Sequence, residues 1–308
     1  MRAKLDERLT VTIVSERLLR YTRPAHPDDD RPAHVRAASG LAVLDGKLFV
    51  IQDDANFIAV VDGDEVEAIA LPRGPGGRRQ FESALGNKLD KLDLEACIAD
   101  AGELIAFGSG SIPIVREQIC RVGGDREVVI ASASELYGNV RAAIGGVLNV
   151  EGAAHVGGEL WLFHRGNTGP SDPGPAIARV SFAEFRAFLD GAPAPAIRGV
   201  DRYDLGTTID GVRFGFTDAA TCGDRVFVVC AAEASRDAIE DGVVGGSRIG
   251  VLDRELVRYA PLVGTDGRPR KVEGLAFEGR DRAWITVDSD DPHAPAPLCE
   301  VSFEGPWW

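Results

Sequence analysis

The sequence predicts an all-β fold: a five-bladed β-propeller of four-stranded antiparallel blades, closed by the N-terminal strand. Three observations predict it. First, one unit recurs along the chain. A polar or acidic residue opens a short apolar run, a Gly-containing turn follows, and a second apolar run ends in a polar tip. Its clearest copy runs from Val150-Glu151-Gly152-Ala153 through the turn Gly157-Gly158 to Leu160-Trp161-Leu162-Phe163-His164. The opening positions are Ser39, Glu95, Glu151, Asp218 and Glu273, spaced 56, 56, 67 and 55 residues apart. Self-similarity near that period marks a radial β array. Second, each unit continues into two further apolar runs, which makes four strands. Third, the last unit is one strand short, while the N-terminal run 9–14 is rich in β-branched residues and has no hairpin partner nearby. Pairing the two closes the ring and leaves no open radial edge.

In chain order, the N-terminal run reads as a strand continuing towards Leu19, and a loop from Pro24 to Pro32 follows. The first blade has strands at 38–44, 47–51, 57–61 and 66–71, with tight turns at Asp45-Gly46 and Asp62-Gly63. Short turns with Gly are what antiparallel hairpins need. Third strands recur at 119–122, 177–180, 249–252 and 298–303, and fourth strands at 127–130, 197–200 and 256–259. One helix is expected at 182–189, where Phe182, Phe185, Phe188 and Leu189 fall at helical spacing and Gly191 follows as a stop. Stretches 72–92 and 131–148 read as excursions between blades. A six-bladed alternative would need a blade hidden in one of them, and both lack paired apolar runs.

Composition narrows the function classes. The 308 residues are 44% apolar, and a chain of that length buries roughly 75% of its unfolded surface. The repeat spans nearly all of it, so residues 1–308 read as a single domain. The net charge of −14 opposes binding to nucleic acid or to an anionic membrane, and it is compatible with cation binding. The N-terminus lacks the apolar core of a secretory signal, and no run approaches the ~18 apolar residues of a membrane span. Five cysteines, an odd number without CxxC spacing, fit packed reduced thiols in a cytoplasm. No P-loop, GxSxG, HExxH or EF-hand spacing occurs.

Strand alternation puts function on one face. The turns between first and second strands are short in every blade. The loops between second and third strands are long and polar: 52–56, 108–111, 164–167, 233–246 and 288–293. Loops on a rigid scaffold are where binding residues concentrate. The first strand of each propeller blade lines the central channel, so Glu95, Glu151, Asp218 and Glu273 should converge near the axis as candidate metal ligands. Above them the tips carry His164, Arg165 and Glu233 as candidate catalytic groups. Asp53, Asp54, Ser109, Asn167 and Asp288 are candidate substrate contacts. Two unit charges ~4 Å apart at an effective dielectric of ~20 repel by about 4 kcal/mol, so such a ring needs a remedy. A bound Ca²⁺ or another divalent cation would neutralise it. So would Lys91 and Lys271, which share strand faces with Asp93, Glu95 and Glu273. So would protonation of one or two carboxyls.

The unit Glu-Gly-(Leu/Ala)-Ala followed by a strand with a polar tip is similar to a family of uncharacterised bacterial β-propellers. That family resembles the "esterase-like activity of phytase" propellers and, more distantly, gluconolactonase/SMP-30-type and paraoxonase-type propellers. The likeness rests on residues 93–96 with 108–111, 149–153 with 161–167, 216–220 and 271–274. It implies one axial Ca²⁺ that polarises an ester or lactone carbonyl, with Glu95, Glu151 and Asp218 in the matching positions. Three functions follow as expectations. One is a metal-dependent hydrolase of a small ester, lactone or phosphoester. The second is a non-catalytic ligand- or protein-binding propeller with an ion-paired ring. The third is a glycosidase, which would need two suitably spaced carboxylates and has few aromatic sugar platforms among 4 Trp and 4 Tyr. A small-molecule ligand is the expected partner.

Overall fold

The computed structural model describes residues 1–166, 169, 172–234, 242–253, 256–264, 266–280 and 282–308. Five antiparallel blades form a ring. The chain opens with β1 (Arg2–Leu5) and β2 (Thr10–Leu18). The first blade is β3 (Ala38–Leu44), β4 (Lys47–Gln52), β5 (Phe57–Asp62) and β6 (Glu65–Ala70). The second is β7 (Leu94–Asp100), β8 (Glu103–Gly108), β9 (Gln118–Gly123) and β10 (Val128–Ser132). After helix α1 (Ser134–Ile144) comes the third: β11 (Val150–Val156), β12 (Glu159–His164), β13 (Ala176–Ser181), helix α2 (Phe182–Leu189) and β14 (Ile197–Arg202). The fourth is β15 (Phe214–Cys222), β16 (Arg225–Glu233), β17 (Val244–Asp253) and β18 (Leu256–Leu262). The fifth is β19 (Lys271–Phe277), β20 (Ala283–Asp288) and β21 (Pro297–Glu304), completed by β2.

The expected closure is present. β2 pairs antiparallel with β21 from Thr10–Glu304 to Leu18–Pro297. One feature was not expected: β1 adds a fifth strand, parallel to β18, on the outer edge of the fourth blade. The Met1 ammonium reaches further and donates to the Arg202 carbonyl at the end of the third blade, 2.8 Å away. The excursions build no sixth blade. Stretch 72–92 makes three single 3-10 turns, and 131–148 carries α1.

The core is divided like the ring. Five apolar clusters lie one between each pair of neighbouring blades, because each sheet buries both faces against its neighbours. α2 forms where the phenylalanine spacing predicts. Ser181 caps it by accepting the Glu184 amide, and Phe185 stacks on Phe107 with ring centroids 5.7 Å apart. All five cysteines are free and buried. Among the described residues no helix is long and apolar enough to cross a membrane.

Candidate functional site

Every inner strand carries a β-bulge at the same height. The pairing skips one residue at Ser39, Glu95, Glu151, Thr217 and Glu273. A bulge re-aims a side chain and bends its strand, and here it turns five equivalent residues towards the axis at the loop face. Their spacing is 56, 56, 66 and 56, more regular than the one read with Asp218. The position expected for Asp218 therefore belongs to Thr217. The two hydroxyl members tie neighbouring blades: Ser39 Oγ donates to the Leu94 carbonyl at 2.5 Å, and Thr217 Oγ1 to the Val272 carbonyl at 2.7 Å. Residue packing after the bulge is tight. A Cβ at Gly152 would lie 3.0 Å from the Ala219 amide nitrogen of the next inner strand, which is why glycine follows the glutamate. Asp218 stands at that second position. Its two oxygens accept the Ala219 and Leu275 amides at 2.7 and 2.6 Å, so it bridges the fourth and fifth blades.

The glutamates join two ion-pair networks. On the first two blades, Lys91 Nζ lies 2.5 Å from Asp53 Oδ2 and 2.7 Å from Asp93 Oδ1. Asp93 also takes Arg116 Nη1 at 2.8 Å and the Ser109 hydroxyl. Arg36 holds Asp54 at 2.8 Å and Glu82 at 3.3 Å. On the remaining blades, Arg165 Nη1 donates to both Glu151 oxygens at 2.9 and 3.0 Å, and its Nη2 donates to Glu233. Asn149 adds a bond to Glu151 at 2.5 Å. Lys271 Nζ sits among Asp290 (2.8 Å), Glu273 (3.2 Å), Asp288 (3.4 Å) and Glu233 (3.7 Å).

Among the described residues, eleven carboxyls (Asp53, Asp54, Glu82, Asp93, Glu95, Glu151, Glu233, Glu273, Asp288, Asp290, Asp291) thus meet six cations (Arg36, Lys88, Lys91, Arg116, Arg165, Lys271) at one mouth of the channel. The imbalance shows in their acidities. Burial, then the nearby Asp53, Asp93 and Glu151 charges, push Glu95 well above the usual carboxyl range. Burial does the same to Glu273 against the pull of Lys271. Burial and the Asp53 charge bring Asp54 to about 7. Burial brings Asp290 to about 7 although Lys271 opposes it. Asp93 is the exception: burial pushes it up, but Lys91 and Arg116 outweigh that and hold it down. Both lysines stay charged, because their carboxylate partners outweigh burial and raise them well above the usual value.

Two features stand out at this mouth. Asp53, Asp93 and Glu95 present carboxylate oxygens within 4.8 Å of one another, and no described residue donates a hydrogen bond to buried Glu95. Between the first and fifth blades lies a cavity of about 280 Å³ lined by Asp53, Asp54, Glu82, Lys88, Lys91, Asp288 and Asp290 to His293, with Phe81 and Ala84 on its wall. Buried Oδ1 atoms of Asp53 and Asp54 have no hydrogen-bond partner. The turn-face end of the channel differs: its cavity of about 150 Å³ is lined largely by alanines and other apolar residues.

A family model described as a family of unknown function (DUF6929) matches residues 34–303. The chain belongs to that family. No curated protein matches it. Among solved structures, the glutaminyl cyclase of Myxococcus xanthus is similar at 11% identity and a TM-score of 0.49, over 96% of this chain and 97% of that one. The PQQ-bound aldose sugar dehydrogenase of Streptomyces coelicolor is similar at 13% and 0.43, over 96% and 98%. Streptogramin B lyase is similar at 11% and 0.43, over 94% and 98%. All three are β-propellers.

The site of this DUF6929 member gathers Asp53, Glu95, Glu151, Arg165, Glu233, Glu273 and Asp288 as the sequence predicts, with Asp54 beside them and Ser109 as a prop under Asp93. It separates two others. Asp218 is spent on backbone amides, as above. His164 is not an accessible tip. It is fully buried, with Nδ1 against the Asn149 backbone at 3.1 Å and Nε2 against Asp172 at 3.3 Å, so it positions strands. Asn167 lies outside the described residues. Arg36, Arg116, Asn149 and Asp290 were missed, and only their proximity in sequence to Ser39, Ser111, Glu151 and Asp288 hinted at them. The axial set implied by the gluconolactonase likeness does not assemble: Glu151 is held by Arg165 and Asn149, and Asp218 by two amides. None of the four tryptophans lines the cavity. Trp161 and Trp284 lie near the turn-face ends of β12 and β20, and Trp307 is in the core between the fourth and fifth blades.

Proposed function

We propose that this chain is a ligand-binding propeller whose loop face takes a positively charged group into the acidic cavity, above a ring closed by lysine and arginine. The excess of carboxyls over cations supports this most. Like charges ~4 Å apart at an effective dielectric of ~20 cost about 4 kcal/mol per pair, a cost met in part by acids such as Glu95 and Glu273 holding their protons, and the cations present are already shared among several acids. A cationic ligand relieves that repulsion, and Asp53 and Asp54 offer it unpartnered oxygens. The cavity of about 280 Å³ is at the lower edge of the ~300–1,000 Å³ typical of small-molecule sites, which suits a small amine or a single basic side chain.

A second reading, a metal-dependent hydrolase of a small ester, lactone or phosphoester, is favoured by one observation: the clustered oxygens of Asp53, Asp93 and Glu95. A divalent ion held there would polarise a carbonyl or phosphoryl oxygen. Against it stands Lys91. An ammonium ~4 Å from a divalent ion would be repelled by about 8 kcal/mol at a dielectric of ~20, so the ion would have to displace it. The glycosidase reading finds no tryptophan or tyrosine on the cavity wall among the described residues.

The deciding experiment is metal analysis of the purified chain, followed by calorimetric titration with Ca²⁺, Mn²⁺, Zn²⁺ and the methylamides of N-acetyl-lysine and N-acetyl-arginine. Binding of an amide that Asp54→Asn abolishes, with no effect of EDTA on the melting temperature, is the expected result. Stoichiometric metal whose removal lowers the melting temperature, together with lactone or ester hydrolysis, would replace this reading with the hydrolase. No binding by either class would leave the well purely structural.

A further inference from the structure

Four exposed apolar side chains lie on two segments that adjoin the acidic cavity. Ser83, Ala84 and Lys88 form part of the cavity wall, and from the same segment Leu85 and Leu89 are exposed. The loop before β9 rests against it, with Arg116 Nη2 donating to the Lys88 carbonyl at 3.3 Å. From that loop Ile114 and Val115 are exposed as well, Ile114 by 70%. Ile114 stands at φ +69°, in the left-handed region where a β-branched residue is an outlier. Its backbone amide donates to Glu117 Oε2 at 2.8 Å, and its carbonyl accepts from Gln118 Nε2 at 2.6 Å. Glycine would make both bonds, so the fold does not need isoleucine there. A local rule broken without local compensation points to function. The opposite face has no counterpart: among the described residues, its hairpin turns hold no exposed large hydrophobic side chain.

We infer that this face docks a segment of another polypeptide, one that carries a lysine or arginine flanked by apolar residues. The basic side chain enters the acidic cavity, and its apolar neighbours cover Leu85, Leu89, Ile114 and Val115. The inference rests on the cavity taking a cationic group. Charge complementarity selects the occupant: a net charge of −14 repels an anionic membrane and a second copy of this chain, and it attracts a basic segment. A buried anchor ringed by apolar contacts that exclude water is the usual anatomy of a tight interface.

The test is a positional array of pentapeptides with central lysine or arginine and varied flanks, with N-acetyl-lysine methylamide measured in parallel. Ile114→Gly suits the left-handed backbone and removes the side chain, so the fold is kept, and Leu89→Ser is a second variant on an exposed position. The expected result is that peptides with apolar flanks bind at least ten-fold tighter than the amide. Both variants should lose that ten-fold while binding the amide as before. If the amide binds and no peptide binds tighter, the docking inference is overturned and the cation pocket stands. If neither binds, both fall. If Ile114→Gly instead dissociates a dimer seen by light scattering, the patch is a self-contact and the inference is overturned.

Discussion

Asp54 and Asp290 carry the clearest consequence of crowding acids. Both are pushed to about 7 by burial, against an ordinary value of 3.8. In the unfolded chain they release their protons near pH 4; in the folded chain they hold them until about pH 7. Between those limits the folded state binds more protons, so stability falls as pH rises and levels off above the folded value. Holding the proton from near pH 4 up to about pH 7 corresponds to at most about 4 kcal/mol per group, less whatever residual solvent screens. The melting temperature should drop from pH 5.5 to pH 8, and Asp54→Asn or Asp290→Asn should flatten the drop; a rise over that range would refute the assignment. Glu103 works the other way. Burial raises it, but Arg186 and Arg121 outweigh that and hold it down, so its contribution is lost only in acid. At this scale the sequence was legible where chemistry repeats. Glu95, Glu151 and Glu273 announce themselves through the glycine or alanine that follows. Thr217 did not, because the acid beside it, Asp218, mimicked the pattern and only the bulge register tells them apart. His164 looked like a tip because burial by Asp172 comes from a loop that sequence spacing does not place.

At the scale of elements, strands were easier to read than the segments that lock them. Their apolar runs are bounded by Gly turns, so period and boundary agree. Helix α1 was missed although Leu136, Val140 and Ile144 repeat every four residues and are all buried. Gly138 and Asn139 interrupt the run, and no side chain caps its start, so neither propensity nor capping gave a signal. β1 was missed because its sequence, Arg2-Ala3-Lys4-Leu5, is half charged; pairing with β18 supplies what its side chains do not. The C-terminal Gly305-Pro306-Trp307-Trp308 is a lock. Trp307 is fully buried, donates from Nε1 to the Glu304 carbonyl at 2.9 Å, and meets Phe303 edge-on at 5.2 Å. Removing a buried Trp costs about 3–5 kcal/mol. Trp307→Ala should therefore lower the urea midpoint sharply, and a loss below 1 kcal/mol would mean the tail is dispensable.

At the scale of the whole molecule, blade count and closure were legible because a 56-residue period and a missing last strand admit few solutions. The well was legible only in part. Its cations come from different loops, Arg36 before β3 and Arg116 before β9, and nothing local brings them to one mouth; ring closure does. Closure is thus a condition for the site as well as for stability. Without β2, the backbone of β21 becomes an open edge, a template for pairing with another chain. The cluster between the fourth and fifth blades would also lose Leu9, Val11 and Ile13. Without β1 alone, the ring stays shut, and what is lost is an outer parallel strand with its Met1–Arg202 contact and two backbone bonds to Asp204. Two truncations separate these roles. Removal of residues 1–5 should cost of order 1–2 kcal/mol, the net worth of a few exposed backbone hydrogen bonds, and should leave cation binding unchanged. Removal of residues 1–18 should abolish both the cooperative melt and binding, with aggregation. A shorter chain that still melts cooperatively and binds would show that inter-blade packing, rather than the seam between β2 and β21, holds the ring and its acidic mouth together.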